Sequence, residues 1–140
     1  MTRIDFYVLN DSEADNRYLY ACRLAQKAVK NGHRVFLHTE SEQQTQLLDD
    51  LLWSFSAASF VPHTHQHNEC ANNPIYVTHL NDPADMHDML INLNNNVPDC
   101  FSRFERIAEL INQDETIRLA GRDRFKFYKS RGCPLKTHKL

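Results

Sequence analysis

The sequence predicts a single α/β domain with a mostly parallel, Rossmann-like sheet, helices on both faces and a basic C-terminal helix. First, the chain of 140 residues has the length of one ordinary domain, and residues 1–140 contain no evident linker, internal repeat or low-complexity segment. Second, short β-branched and aromatic runs alternate with segments of helical spacing. Such alternation is typical of a parallel sheet that is covered on both sides.

The first part of the chain supplies two strands and one helix. "IDFYVL" (4–9) is an aromatic and β-branched run and predicts a strand. The turn residues of "NDSEAD" follow, and apolar residues then recur at helical spacing over 17–31. Gly32 is expected to end that helix because glycine tolerates the conformation of a C-cap. "RVFLH" (34–38) predicts the second strand.

A second helix is predicted over 41–53. Ser41 is its expected N-cap, because a serine hydroxyl can accept a hydrogen bond from the first helical turn. The segment "SFVPH" that follows is predicted to be a short extended piece ending at Pro62. The leucines predicted to be buried on this helix are Leu47, Leu48, Leu51 and Leu52.

The second half of the chain supplies the remaining elements. "PIYVTH" (74–79) and "MLINL" (89–93) predict two further strands. "RFERIAELI" (103–111) fits a strand or a helix, and its pattern does not decide between them. A last helix is predicted from residue 114 or 115 to about residue 132, followed by a short terminal tail.

Charge is distributed unevenly along the chain. Residues 118–140 carry eight Lys and Arg against one acid, whereas residues 1–117 carry eight bases against seventeen acids. A basic end on an acidic body favours an anionic partner. No apolar run approaches the length of a membrane span, and Asp5 interrupts the apolar start, which argues against a signal peptide. We therefore expect a cytoplasmic chain without membrane contact.

The motifs of nucleotide chemistry are missing from the sequence. The three glycines are Gly32, Gly121 and Gly132, and the acidic segment after the first strand contains none. A phosphate loop needs glycine there so that backbone amides can approach the phosphates. Neither a GxSxG elbow nor an HExxH helix is present. We expect no catalytic residues and no cofactor.

The segment "SFVPHTHQHNEC" offers an alternative function as a metal site. His63, His65 and His67 alternate, so an extended backbone would place them on one face, and Cys70 or Glu69 could complete four ligands. Their spacing matches no standard structural zinc pattern. Additional histidines in a polar loop are the commoner reason for such a segment, and no metal is expected.

The last helix carries a cationic face with one aromatic ring. Arg118, Arg122, Phe125, Lys126 and Lys129 recur at helical spacing. Such a face suits a ligand that is both acidic and hydrophobic, either a peptide ending in acids and a phenylalanine or a single-stranded nucleic acid. The acidic body argues against direct nucleic-acid binding, which nevertheless stays open as an alternative. The residues expected to pack on the sheet from the opposite side are Ile117, Ala120, Phe127 and Tyr128.

Several segments resemble one protein family over nearly the whole chain. "LLDDLLWSFSAASFVPH" is the most specific of them, and "FYVL", "INL" and "RDRFKFYKSRG" support it. Together they are similar to the chi subunit of the bacterial DNA polymerase III holoenzyme. The resemblance implies a Rossmann-like fold without enzymatic activity. It also implies an adaptor that joins the clamp loader, through the psi subunit, to the acidic C-terminal tail of single-stranded DNA-binding protein, with DNA contacted only indirectly.

The resemblance also assigns residues to these partners. It places the binding surface for the acidic tail on Arg118, Arg122, Phe125 and Lys126, with Trp53 close to that surface. Phe125 stands where the family commonly has a tyrosine, so that the ring is kept and the hydroxyl is lost.

A second set of residues follows from the same resemblance. Phe60 and Ile111 fall where the family contacts psi, although "LINQDE" departs from the family sequence around Ile111. His63 belongs to the family block, so a structural role is expected for it. His65 and His67 fall in a variable loop and are expected to have no role.

Overall fold

The computed structural model of the protein describes residues 1–55 and 61–140. Within these ranges the chain forms one open sheet of seven strands in which every paired neighbour is parallel. The predicted fold class is therefore confirmed as a single α/β domain of the Rossmann-like kind, with helices on both faces of the sheet.

The strands are β1 (Arg3–Val8), β2 (Val35–His38), β3 (His63–Thr64), β4 (Ile75–Thr78), β5 (Met89–Asn92), β6 (Arg106–Ile111) and β7 (Leu135–Lys139). The α-helices of the described residues are α1 (Ala14–Lys30), α2 (Glu42–Ser54) and α3 (Glu115–Ser130), and short 3₁₀ helices span His67–Asn72 and Phe101–Arg103. Across the sheet the strands follow the order β3, β4, β2, β5, β6, β1, β7.

The sheet separates two apolar cores. Successive side chains of a strand point to opposite faces, so Phe6 and Tyr7 of β1 belong to different cores. Helices α1 and α2 pack against the core that contains Tyr7, whereas α3 packs against the core that contains Phe6. The basic helix α3 and the helix that carries Trp53 therefore lie on opposite faces of the sheet.

Helix α2 begins as predicted but buries fewer leucines than expected. The Ser41 hydroxyl accepts a hydrogen bond from the backbone N–H of Gln44. Leu48 and Leu52 are fully buried against the sheet, whereas Leu47 is 41% exposed. The predicted burial of Leu47 is wrong, because adjacent helical residues lie about 100° apart around the axis and only one of two neighbours can face the core squarely. Leu51 is half-buried.

The structure decides one segment that the sequence left open and changes the assignment of another. The ambiguous segment 103–111 contains β6, which pairs with β5 on one side and β1 on the other. The expected terminal tail forms β7, which pairs with β1 in the register Ile4 to Leu135. The sequence "LKTHK" gives little sign of this strand because it contains one apolar residue and lies at the edge of the sheet.

Candidate functional site

A groove on the α3 side of the sheet brings together most of the predicted cationic face. It is a cavity of about 200 Å³ between α3 and the strands β1, β6 and β7. Its floor and walls are apolar, and its rim is cationic and polar. The groove is lined by Phe6, Val8, Ile111, Gln113, Arg118, Gly121, Arg122, Phe125 and Thr137. Hereafter this set is called the α3 groove.

Phe125 is half-buried and forms one wall of the α3 groove. Its ring centroid lies 5.3 Å from that of Phe6, with the two planes tilted by 57°. This contact fixes the ring and leaves part of it open to the cavity, so the helix offers a rigid apolar surface. Lys126 is exposed on the next position of α3 and does not line the cavity itself.

The cations of this face have no acidic partner among the described residues. In the part of the chain that the structure describes, Arg118, Arg122 and Lys126 form no salt bridge. An uncompensated group of cations beside an apolar cavity attracts an anion and gives it a fixed place to bind. A planar guanidinium can hold a carboxylate through two parallel hydrogen bonds.

Gly121 lines the cavity, a role for which its residue type was not noted in the sequence. A Cβ atom at this position would lie 2.6 Å from Cδ1 of Ile111, so any other residue would have to displace the end of that side chain. Glycine inside a helix costs about 1 kcal/mol relative to alanine. A glycine inside a predicted helix, placed there despite this cost, is the feature of the sequence that could have indicated a close contact.

Ile111 lies in the α3 groove and not on a surface of its own. It is 5% exposed at the end of β6, under Gly121. The expected contact of Ile111 with psi stays a prediction. Phe60 lies outside the described residues.

Trp53 is not brought to the α3 groove, and the predicted proximity is wrong. It lies on α2, near the β3 edge, where its ring packs edge-on against His63 at a centroid distance of 5.4 Å. Between β3 and β1 lie five strand spacings, or about 24 Å, and α2 lies on the opposite face from α3. Trp53 is 64% exposed and forms part of a separate surface.

A buried ion pair fixes how α3 is rotated on the sheet. Arg124 is 3% exposed and its Nε donates to Oε1 of the fully buried Glu109 at 3.0 Å. The Tyr128 hydroxyl donates to Oε2 of Glu109 at 2.7 Å, and the Asn92 amide donates to the same carboxylate. Burial, together with this carboxylate, raises the pKa of Tyr128 far above its ordinary value. These bonds hold one side of α3 to the sheet and leave the side of Phe125 facing the α3 groove.

One residue of the histidine segment, His63, has a structural role. The His63 ring places Nδ1 2.9 Å from the backbone oxygen of Val61 and Nε2 3.1 Å from that of Asp49, which ties β3 to α2. His67 begins a 3₁₀ helix, so the extended backbone that was predicted to place the three histidines on one face does not continue to it. Cys70 is buried. Among the described residues no group of three or more His, Cys, Asp or Glu is placed to hold a metal ion.

The candidate site thus defines a class of protein. It is an α/β domain whose β1 is followed by an acidic segment without glycine, and it carries a cationic groove between a helix and the sheet edge. Among the described helices, none combines the length and the apolar character that crossing a bilayer requires.

Comparison with known proteins identifies the family. The family model described as "DNA polymerase III chi subunit, HolC" matches residues 1–136. The chain is 41% identical over 140 residues to the DNA polymerase III subunit chi of Pseudomonas aeruginosa, covering 100% of this chain and 98% of that one. It is 27% identical over 143 residues to the DNA polymerase III subunit chi of Escherichia coli, covering 98% and 97%.

The chain therefore belongs to the chi-subunit family of DNA polymerase III. It is a replication accessory subunit, which agrees with the resemblance carried by the segment "LLDDLLWSFSAASFVPH" and by the basic helix.

Proposed function

We propose that the protein is a noncatalytic adaptor that binds the acidic C-terminal tail of single-stranded DNA-binding protein in the α3 groove and holds psi through a second surface. Through psi it would join the clamp loader, and it would contact DNA only through its partners. The observation that carries the proposal is the α3 groove itself, an apolar cavity with a rim of cations that have no acidic partner among the described residues.

The chemistry of the α3 groove fits such a tail residue by residue. The final phenylalanine would place its ring against Phe6 and Phe125, where a well-oriented aromatic pair adds about 1 kcal/mol beyond area burial. Arg118 or Arg122 would bind the terminal carboxylate through a two-pronged contact. Lys126 would attract the preceding aspartates over a distance of about 10 Å at 0.1 M salt.

The absence of catalysis is part of the proposal and rests on the sequence. The segment after β1 is acidic and lacks glycine, so it cannot cradle a phosphate with backbone amides. Hydrolysis of ATP by the purified chain at a rate abolished by a point mutation in that chain would contradict this part.

The direct test of the proposal is capture of single-stranded DNA-binding protein by the immobilised chain. We expect capture of the intact protein and loss of capture when its last few residues are removed. Equal capture of both forms would contradict the groove as the binding site. Binding of a bare oligonucleotide at moderate salt would instead favour the direct nucleic-acid binder.

The psi contact is proposed for the surface of Phe60. Ile111 is the second residue proposed for psi, and because it is 5% exposed and lines the α3 groove, Phe60 offers the cleaner test. Phe60→Ala should weaken psi binding by removing an apolar interface anchor, while tail binding and the unfolding midpoint stay unchanged. Titration of psi onto the two chains measures the effect. A lowered unfolding midpoint with unchanged psi affinity would assign Phe60 to the core.

A further inference from the structure

Strand β7 is an edge strand, and part of its backbone N–H and C=O groups face away from its neighbour β1. It pairs with β1 on one side, and within the described residues no strand lies on its other side. The opposite edge of the sheet, by contrast, is the strand β3 of only two residues. An exposed edge of this length presents a row of backbone N–H and C=O groups that can receive a further strand.

The register of the ladder identifies which groups point outward. The Ile4 N–H donates to the Pro134 carbonyl at 2.9 Å, and the Leu140 N–H donates to the Val8 carbonyl at 2.9 Å. In a parallel ladder every second residue directs its amide and carbonyl groups to the same neighbour, so residues 134, 136, 138 and 140 serve β1. The residues whose backbone groups face away from β1 are Leu135, Thr137 and Lys139.

The outward edge of β7 continues from the α3 groove. Thr137 lines the groove and stands opposite Phe6 in the ladder, so its side chain lies on the α3 side. A peptide whose last residue is held in the groove would therefore leave it beside the outward backbone of β7. Lys136 and Lys139 are exposed along this strand, so an acidic peptide meets cations on its way.

We propose that β7 receives the acidic segment just before the partner's terminal phenylalanine as an added, eighth strand of the sheet. This inference rests on the proposed function and names the backbone contact through which the same ligand binds. The strand would supply hydrogen bonds that do not depend on the peptide's side chains, whereas the α3 groove would select the terminal residue.

The test compares Thr137→Pro with Thr137→Val. Proline removes the one outward N–H of this residue without removing a hydrogen bond to β1, and proline is tolerated on the open side of an edge strand. Valine keeps that N–H and the side-chain shape. For a synthetic peptide of several aspartates, a proline and a final phenylalanine, we expect Thr137→Pro to bind at least about threefold more weakly than Thr137→Val. Equal affinities of two folded variants would overturn the added strand.

Amide hydrogen exchange in the unaltered chain gives a second measurement that needs no substitution. With saturating peptide, exchange of the Thr137 and Lys139 amides should slow at least about tenfold, because they gain hydrogen-bond acceptors. The His138 amide already serves β1 and should change less. Unchanged exchange at Thr137 and Lys139 in the saturated complex would overturn the added strand alone. Failure of the peptide to bind at all would overturn both this inference and the proposed groove.

Discussion

At the scale of single residues, the α3 groove depends on Gly121, a residue without a Cβ atom. A Cβ atom added at this position would lie 2.6 Å from Cδ1 of Ile111. Ile111, Gly121 and Phe125 all line the groove. The side chain at position 121 therefore affects how much of the cavity the end of Ile111 fills.

Replacing Gly121 by alanine should close the α3 groove without unfolding the protein. The new methyl group must displace the end of Ile111 toward the cavity, while the helix gains up to about 1 kcal/mol in propensity. We expect the free energy of unfolding in urea to change by less than about 1 kcal/mol and the peptide to lose roughly 1 kcal/mol of binding, about the value of one buried methylene. A peptide lacking its final phenylalanine is the control and should bind both chains equally. Unchanged affinity for the full peptide would show that its ring binds elsewhere.

At the scale of elements, α3 is held by polar contacts on one side and offers its other side to a ligand. The pair of Arg124 and Glu109 is buried, with Tyr128 completing the coordination of the carboxylate. Two residues earlier, Arg122 is exposed on the groove rim. The same helix therefore has one arginine that anchors it and another that we propose binds the ligand, and the sequence pattern alone does not separate them.

Arg124→Ala and Arg122→Ala should separate these two uses. Removing one member of a buried ion pair leaves Glu109 charged and unpaired, so Arg124→Ala should cost about 3–5 kcal/mol of unfolding free energy. Arg122→Ala, at an exposed position, should cost less than about 0.5 kcal/mol. Urea unfolding of both variants measures this difference. Similar losses in the two variants would contradict the anchoring role.

Strand β7 is tied to the sheet by an acid that titrates. Burial opposes ionisation of Asp5, but hydrogen bonds from His138 and Arg106, with the charges of Arg106 and Arg3, prevail and hold the pKa of this carboxyl below its ordinary value. Because the pKa is lowered on folding, the stability that Asp5 contributes is present above the ordinary pKa of about 4 and is lost as the pH falls below it.

Asp5→Asn should therefore lower stability more at neutral pH than in acid. We expect the difference in unfolding free energy between the two chains to be constant from about pH 7 to pH 5 and to shrink below about pH 4. Urea unfolding at several pH values measures it, with Asp123→Asn as the control, since Asp123 is exposed and forms no salt bridge among the described residues. A difference independent of pH would contradict the role of the charge.

At the scale of the whole molecule, the sequence predicts what repeats locally and misses what depends on distant contacts. The alternation of strands and helices predicts the parallel sheet, and helical spacing predicts that Arg118, Arg122 and Phe125 share one face, as they do. The edge strand β7 was missed because its pairing with β1 comes from residues more than a hundred positions away. The position of Trp53 was wrong because neither spacing nor resemblance gives the face of the sheet on which a helix packs.

The fold places the cations of the C-terminal segment together in space. Helix α3 and strand β7 both lie at the end of the sheet that contains β1 and β7, so these cations are collected there. We expect attraction of an acidic partner to this edge to weaken as salt rises, because exposed charges are screened over about 10 Å at 0.1 M salt. The apolar part of the contact should be much less sensitive to salt.

Calorimetric titration of an acidic peptide that ends in phenylalanine measures whether the α3 groove binds the end of such a peptide. We expect Arg122→Ala to bind the peptide at least about 1.5 kcal/mol more weakly than the unaltered chain does, because it loses a charge-assisted hydrogen bond. Lys30→Ala, at an exposed lysine of α1, should bind it less than about 0.5 kcal/mol more weakly. The peptide without its final phenylalanine should bind far more weakly than the full peptide. Equal losses in the two variants, or undiminished binding of the shortened peptide, would show diffuse attraction and contradict a specific groove.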